Sequence, residues 1–132
     1  MIGMVLATWA VAAEPSPLTL QVTALKTDDG QVLCTLYDGP ERWLKDPGFV
    51  ATATATPAEG SATCTFEGVA PGTYAVSFIH DVNGDGDMEF SMFGWPKEPW
   101  GVSRDAPARM GPPKYDAAAF VHPGAAQTAA VR

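Results

Sequence analysis

The chain has 132 residues, of which 46% are hydrophobic and 17% charged. This balance is typical of one globular domain with a substantial core and excludes a disordered chain. The net charge is −7, and the chain lacks the clustered Lys and Arg that nucleic-acid phosphates require, so we expect no nucleic-acid partner and a protein that attracts cations.

The first thirteen residues form an apolar segment that is too short to span a bilayer. It ends in the small residues Val11 and Ala13, followed by Glu14 and Pro15, as a signal-peptidase site does. No Lys or Arg precedes the apolar run, although signal peptides usually have one there. A buried first strand is the alternative interpretation, but the run lacks the period of two that a strand shows. We therefore expect a signal peptide at 1–13, a single domain at 14–132, a periplasmic or secreted location and no transmembrane span.

From Leu18 onward the chain alternates apolar and polar residues, which is the pattern of half-buried β-strands. The turn Asp28-Asp29-Gly30 predicts a hairpin between the first two strands. Residues 49–56 alternate Ala with Thr and suit a sheet edge, whereas 73–80 are apolar on both faces and suit a central strand. The expected strands cover 18–25, 31–37, 49–56, 61–67, 73–80, 117–121 and 126–131. About seven short strands and little helix predict an all-β fold, a single antiparallel β-sandwich with a long irregular loop.

Two cysteines lie in strand-like runs, each on the same face as apolar neighbours. Cys34 shares its face with Val32 and Leu36, and Cys64 shares its face with Ala62 and Phe66. Inward cysteines on different strands form a disulfide in an oxidising compartment. Two buried free thiols remain the alternative, while two cysteines without a CxxC motif argue against a zinc site.

An acidic segment follows the strand at 73–80 and carries an oxygen-bearing side chain at every second position. These side chains are Asp81, Asn83, Asp85, Asp87 and Glu89, with Gly84 and Gly86 between them. Calcium takes six to eight oxygen ligands, and a Gly-containing loop converges alternate side chains on one point. The start fits the calcium-loop pattern D-x-[DN]-x-[DN]-G, but Met92 stands where an EF-hand has its bidentate Glu. The segment predicts a weak Ca²⁺ site, with a solvated acidic turn as the alternative.

After Phe90 no periodic pattern appears until about Tyr115, and the span is rich in proline and aromatic residues. Trp95 and Trp100 predict either a recognition surface for a small ligand or a protein, or a cap on the core. Arg104 and Arg109 either pin this loop through ion pairs or receive an anionic ligand.

The second half of the chain resembles a bacterial family known as domain-of-unknown-function family 2141. The resemblance rests on Pro71-Gly72-x-Tyr74-Ala75-Val76, on His80-Asp81-x-Asn83-x-Asp85-Gly86, on Gly94-x-Pro96-x-Glu98, on Gly101-x-Ser103 and on Gly111-Pro112-Pro113-x-Tyr115 with Ala119-Phe120. Gly30-Gln31-Val32, followed by Leu36-Tyr37-Asp38, resembles the first hairpin of that family. The resemblance implies an exported protein with a sandwich like those of transthyretin and carboxypeptidase regulatory domains. It implies no reaction, and Cys34 and Cys64 are not part of the pattern.

Catalysis has few candidate residues. His80 ends a strand beside the acidic segment, where it would serve as a base or simply pack, and His122 is expected in an exposed turn before Pro123. Ser103 lacks the G-x-S-x-G context of a nucleophile elbow. The Tyr-Arg-Gly-Ser ending of hydroxyisourate hydrolases, which share the transthyretin fold, is absent. We expect a noncatalytic binding or structural module whose calcium loop braces the aromatic loop, with a metal-assisted hydrolase using His80 as the alternative.

Overall fold

Alternating side chains build eight strands in the part of the chain that the computed structural model describes, which comprises residues 14–44, 49–82, 99–108 and 111–131. The strands are β1 (Ser16–Thr23), β2 (Gln31–Tyr37), β3 (Ala51–Ala55), β4 (Ala62–Val69), β5 (Gly72–Asp81), β6 (Trp100–Val102), β7 (Phe120–His122) and β8 (Gln127–Ala130). A short helix, α1 (Tyr115–Ala118), and 3₁₀ turns at Pro40–Arg42 and Ser103–Asp105 complete these elements.

The strands form two sheets that pack face to face. The first has the order β4-β1-β8, with β1 antiparallel to β4 and parallel to β8. The second has the order β3-β2-β5-β6, is antiparallel throughout, and includes β7 through its pairing with β5. The predicted all-β sandwich is therefore confirmed, with β3 at a sheet edge and β5 in the centre as expected. The described residues contain eight strands rather than the seven expected, because β6 lies in the span that was predicted to be irregular.

The core lies between the two sheets and is built from the apolar faces predicted by the period of two. Leu20 and Val22 of β1 and Val32 and Leu36 of β2 are fully buried in it. Within this core a disulfide joins Cys34 of β2 to Cys64 of β4, with Cα atoms 6.4 Å apart and a sequence separation of 30. The bond therefore links the two sheets to each other rather than two strands of one sheet.

The predicted hairpin between the first two strands is wrong, because β1 and β2 lie in different sheets. Ala24 takes a left-handed conformation with φ 62° at the end of β1 and turns the chain out of its sheet. The Leu25 N–H then donates to the Gly60 carbonyl oxygen at 3.0 Å, which fixes the crossing. Two strands that each have one apolar face can bury those faces as neighbours in one sheet or as members of two sheets packed against each other. The pattern alone therefore does not determine which strand pairs with which.

The C-terminal strands also differ from their predicted positions. Residues 115–118 form α1, and the strand expected at 117–121 is shorter and begins at Phe120. Helix α1 buries Tyr115 and Ala118 in a second apolar cluster with Val102 and Ala106, on the outer face of the five-stranded sheet. None of the helices in the described ranges has the length and apolar character needed to cross a membrane.

Candidate functional site

Strand β5 leads the chain into the acidic segment. Its burial runs almost unbroken from Tyr74 to its last residue, Asp81, whose side chain is only 1% exposed. A carboxylate is rarely buried to this extent without charge compensation or hydrogen bonding. The other predicted ligands, Asn83, Asp85, Asp87 and Glu89, lie outside the described residues.

His80 does not face the same way as Asp81. Successive side chains of a strand point to opposite faces, and His80 shares its face with Val76 and Phe78 in the core between the sheets. It is fully buried, and its Nε2 lies 2.7 Å from the Asp29 carbonyl oxygen, which accepts the N–H of the ring. Its Nδ1 has no hydrogen-bond partner among the described residues. The ring therefore fastens the β1–β2 connection to the end of β5 and is enclosed by the protein.

Glycine at position 30 allows the β1–β2 connection to pass against the backbone where the acidic segment begins. Gly30 has φ 71°, a conformation that L side chains rarely adopt. A Cβ at this position would overlap the Asp81 carbonyl oxygen and approach the Val82 Cα atom to 2.8 Å. Gln31 pairs directly with Asp81 in the β2–β5 ladder. Strand β2 thus fixes the first residue of the segment.

Pro99, where the described chain resumes after the acidic segment, is fixed on the side of β5 that is opposite to β2. The His80 N–H donates to the Pro99 carbonyl oxygen at 2.7 Å, and Ile79 pairs with Trp100 at the start of β6. Asp81 and Pro99 therefore lie at neighbouring positions along β5, where strand pairing holds them.

Asp28 has a structural role that the sequence alone did not reveal. Its two carboxylate oxygens accept the Glu59 and Gly60 N–H groups, each at 3.0 Å. This carboxylate joins the β1–β2 connection to the β3–β4 turn. The signal available in the sequence was only the turn-forming character of Asp-Asp-Gly.

Within the described ranges, no three His, Cys, Asp or Glu side chains are grouped so that they would hold a metal ion. The predicted cation site therefore depends on Asp81 together with residues outside those ranges.

A cavity of about 90 Å³ lies between β1 and the β7–β8 connection, and none of its lining residues is charged. Pockets for drug-sized ligands measure about 300–1,000 Å³. His122 lines this cavity but is only 6% exposed, and its Nε2 lies 3.2 Å from both the Oγ and the carbonyl oxygen of Ser16. The expectation of an exposed His122 was wrong, because β7 pairs with β5 and carries the ring inward against Tyr74.

A sequence model of domain-of-unknown-function family 2141, described as an uncharacterized protein conserved in bacteria, matches residues 20–130. The chain belongs to this family. Comparison with curated proteins gives no significant match, and comparison with solved structures gives none either.

Several residues that carry the resemblance to family 2141 have structural roles. The Tyr74 hydroxyl donates to the Ala70 carbonyl oxygen at 2.7 Å, and the Tyr115 hydroxyl donates to that of Thr73 at 3.2 Å. Burial raises the pKa of both phenols, and the negative charge of Asp38 raises it further. These family 2141 positions therefore hold the ends of β5 and α1 in place.

Ser103 is also explained by structure rather than by catalysis. It is fully buried, and its Oγ accepts the Val76 N–H at 3.0 Å and donates to the Ala118 carbonyl oxygen at 2.6 Å. This hydroxyl joins β5 to α1 through the 3₁₀ turn. Both of its partners are main-chain groups, so the geometry is that of a buried tether and not of a nucleophile paired with a base.

Of the remaining predicted binding residues, the structure describes Arg104 and Trp100. Arg104 is exposed, has φ 60°, and its Nη1 donates to the Ala119 carbonyl oxygen at 3.1 Å, so it pins its turn to α1 through the main chain. Trp100 is half-buried in β6 and packs against the cluster around Val102. Trp95 and Arg109 lie outside the described residues.

Proposed function

We propose that this family 2141 protein is a noncatalytic β-sandwich module of an oxidising compartment, in which a calcium-binding loop braces a long aromatic surface loop. The ligands are the side chains of Asp81, Asn83 and Asp85, the carbonyl oxygen of residue 87, and Glu89 directly or through water. The observation that carries the proposal is the buried Asp81, held at the end of the central strand at the first position of the alternating acidic pattern.

The anchoring of the loop supports this proposal. The two described residues that flank positions 82–98, Asp81 and Pro99, are both held at the end of β5. Ordering a loop of this length costs conformational entropy for every residue that is fixed. A cation that gathers several carboxylates near the loop entry offsets that cost and removes the repulsion between like charges.

The position of His80 favours a binding role over hydrolysis. A metal-assisted hydrolase needs a base that reaches a metal-bound water or the substrate. His80 instead lies on the core face of β5, opposite to Asp81, and its Nε2–H is engaged by Asp29. Calcium prefers oxygen ligands and does not require this imidazole.

Export is part of the proposal and rests on the buried disulfide between Cys34 and Cys64. Disulfides persist in the periplasm and outside the cell and are rare in the reducing cytosol. The expected signal peptide at 1–13 agrees with this location, and those residues lie outside the described ranges.

Calorimetric titration with calcium tests the proposal. The acidic segment lacks the bidentate Glu of an EF-hand, so we expect a dissociation constant of about 10⁻⁴–10⁻³ M, as in extracellular modules. Asp85→Asn removes one ligand charge and should weaken binding at least about tenfold. Asp116→Asn removes an exposed carboxylate on α1 and is the matched control, which should bind as the wild type does. Absence of binding heat at millimolar calcium, with no change in melting temperature, would refute the proposal.

Bracing of the aromatic loop is tested separately, by limited proteolysis with and without chelator. We expect cleavage between residues 93 and 113 to accelerate when calcium is removed, while the melting of the sandwich changes little, because Asp81 is the one predicted ligand that lies in a described strand. Equal cleavage rates in calcium and in chelator would show that the ion does not organise this loop.

A further inference from the structure

Strand β3 presents one open edge. It pairs with β2 on one side over Ala51–Ala55, and no strand in the described ranges pairs with its other side. Strand β4 follows it in sequence but belongs to the opposite sheet, and Ala58 forms an isolated bridge with Ser61 in the turn that connects the two strands. An edge strand exposes a row of unpaired N–H and C=O groups that matches another extended strand.

Strand β3 is short, which itself limits an exposed edge, but its residues include none of the charges or prolines that block strand pairing. Residues 49–58 contain no charged side chain, and no proline occurs before Pro57. Phe49 and Val50, which lead into the strand, are 43% and 49% exposed. Natural edges stay unpaired when they are very short, when a helix or loop covers them, or when they carry lysine, proline, bulges or inward charges. The composition of β3 is that of an edge that receives a partner.

The sequence of β3 identifies the partner. Ala-Thr-Ala-Thr-Ala reads the same in both directions about Ala53, so two antiparallel copies related by a twofold axis at Ala53 place each residue opposite a residue of the same type. Thr52 of one copy then faces Thr54 of the other, and both threonines are exposed. Cross-strand Thr–Thr pairs are favourable in antiparallel sheets. We propose that the chain forms a symmetric dimer by pairing β3 with β3 of a second copy, which joins the two five-stranded sheets into one.

Charge favours this surface for self-association. Each copy carries a net charge of −7, so two copies repel wherever their carboxylates meet, and residues 49–58 offer a contact without any. The strand is short, so the interface is at the small end of the range for specific complexes and the dimer is weak and dependent on concentration. The proposal is independent of calcium, and its test is carried out in chelator.

Sedimentation equilibrium of two charge variants tests both the pairing and its register. In Thr52→Lys/Thr54→Lys the twofold places Lys opposite Lys at two positions, whereas in Thr52→Lys/Thr54→Glu it places Lys opposite Glu. Both threonines are exposed in the monomer, so both variants should fold, which circular dichroism verifies. We expect the Lys/Glu variant to dimerise like the wild type and the Lys/Lys variant to have a dissociation constant roughly tenfold higher. A wild type that is monomeric at its highest soluble concentration would overturn the proposal, and so would two variants that associate alike.

Discussion

The disulfide between the sheets gives the most quantitative prediction. Cys34 and Cys64 are 30 residues apart, and closing a loop of that length removes entropy from the unfolded chain worth about 3–4 kcal/mol in the chain-entropy model. Reduction of the wild type should therefore lower the free energy of unfolding by about that amount. For a domain of this size the melting temperature should fall by roughly 10–20 °C.

A second sample separates the covalent link from the packing of the sulfur atoms. Cys34 is 1% exposed and Cys64 fully buried, so Cys34→Ala/Cys64→Ala loses the link and also leaves two small voids. We expect this double variant to be less stable than the reduced wild type by about 1 kcal/mol per site.

The assay is urea unfolding followed by tryptophan fluorescence and circular dichroism, with coincidence of the two signals required before free energies are compared. If oxidised and reduced wild type unfold at the same urea concentration, the disulfide does not restrict the unfolded chain as this reasoning requires. If the double variant equals the oxidised protein, the inter-sheet link itself contributes nothing.

Three further predictions follow from single residues. In Gly30→Ala the new Cβ would overlap the Asp81 carbonyl oxygen at a residue with φ 71°, so the free energy of unfolding in urea should fall by about 3 kcal/mol or more. The control Gly68→Ala has φ 63° but open space around its Cβ, so its free energy of unfolding should fall by only about 1 kcal/mol. Ser103→Ala leaves two buried main-chain groups without their partner and should cost about 2–4 kcal/mol by the same measurement. Burial and nearby negative charges raise the pKa of Tyr115 above its usual 10.0, so its contribution to stability is complete below about pH 10 and is lost as the pH rises through the raised value. Urea midpoints of Tyr115→Phe should consequently fall less between pH 8 and pH 11 than those of the wild type.

Local alternation predicted the faces of the strands well, because burial of one face is a property of the residues themselves. The central position of β5 followed from its apolar residues on both faces, and the edge position of β3 from its thin Ala-Thr pattern. The pairing partner of each strand could not be predicted from the sequence. A period of two indicates which face of a strand is buried but not which strand lies beside it. The wrong hairpin between β1 and β2 has this origin.

The candidate site was predictable only in part, for the same reason. The position of Asp81 at the strand end follows from the sequence, whereas the orientation of His80 toward Asp29 depends on a turn that the tertiary fold brings to it. Ser103 and His122 are polar residues whose burial is compensated by distant main-chain or hydroxyl groups. Sequence reasoning identifies such residues as polar but has no means of finding partners that are remote along the chain.

A crystal structure of the protein grown in calcium tests the central claim most directly. The account predicts one ion beside the end of β5, with the Asp81 carboxylate, the Asn83 and Asp85 side chains and the carbonyl oxygen of residue 87 as ligands at about 2.3–2.6 Å. Anomalous scattering after exchange with a lanthanide identifies the ion independently of its ligands. A crystal at millimolar calcium with no ion at Asp81, or with an ion bound elsewhere, would contradict the account.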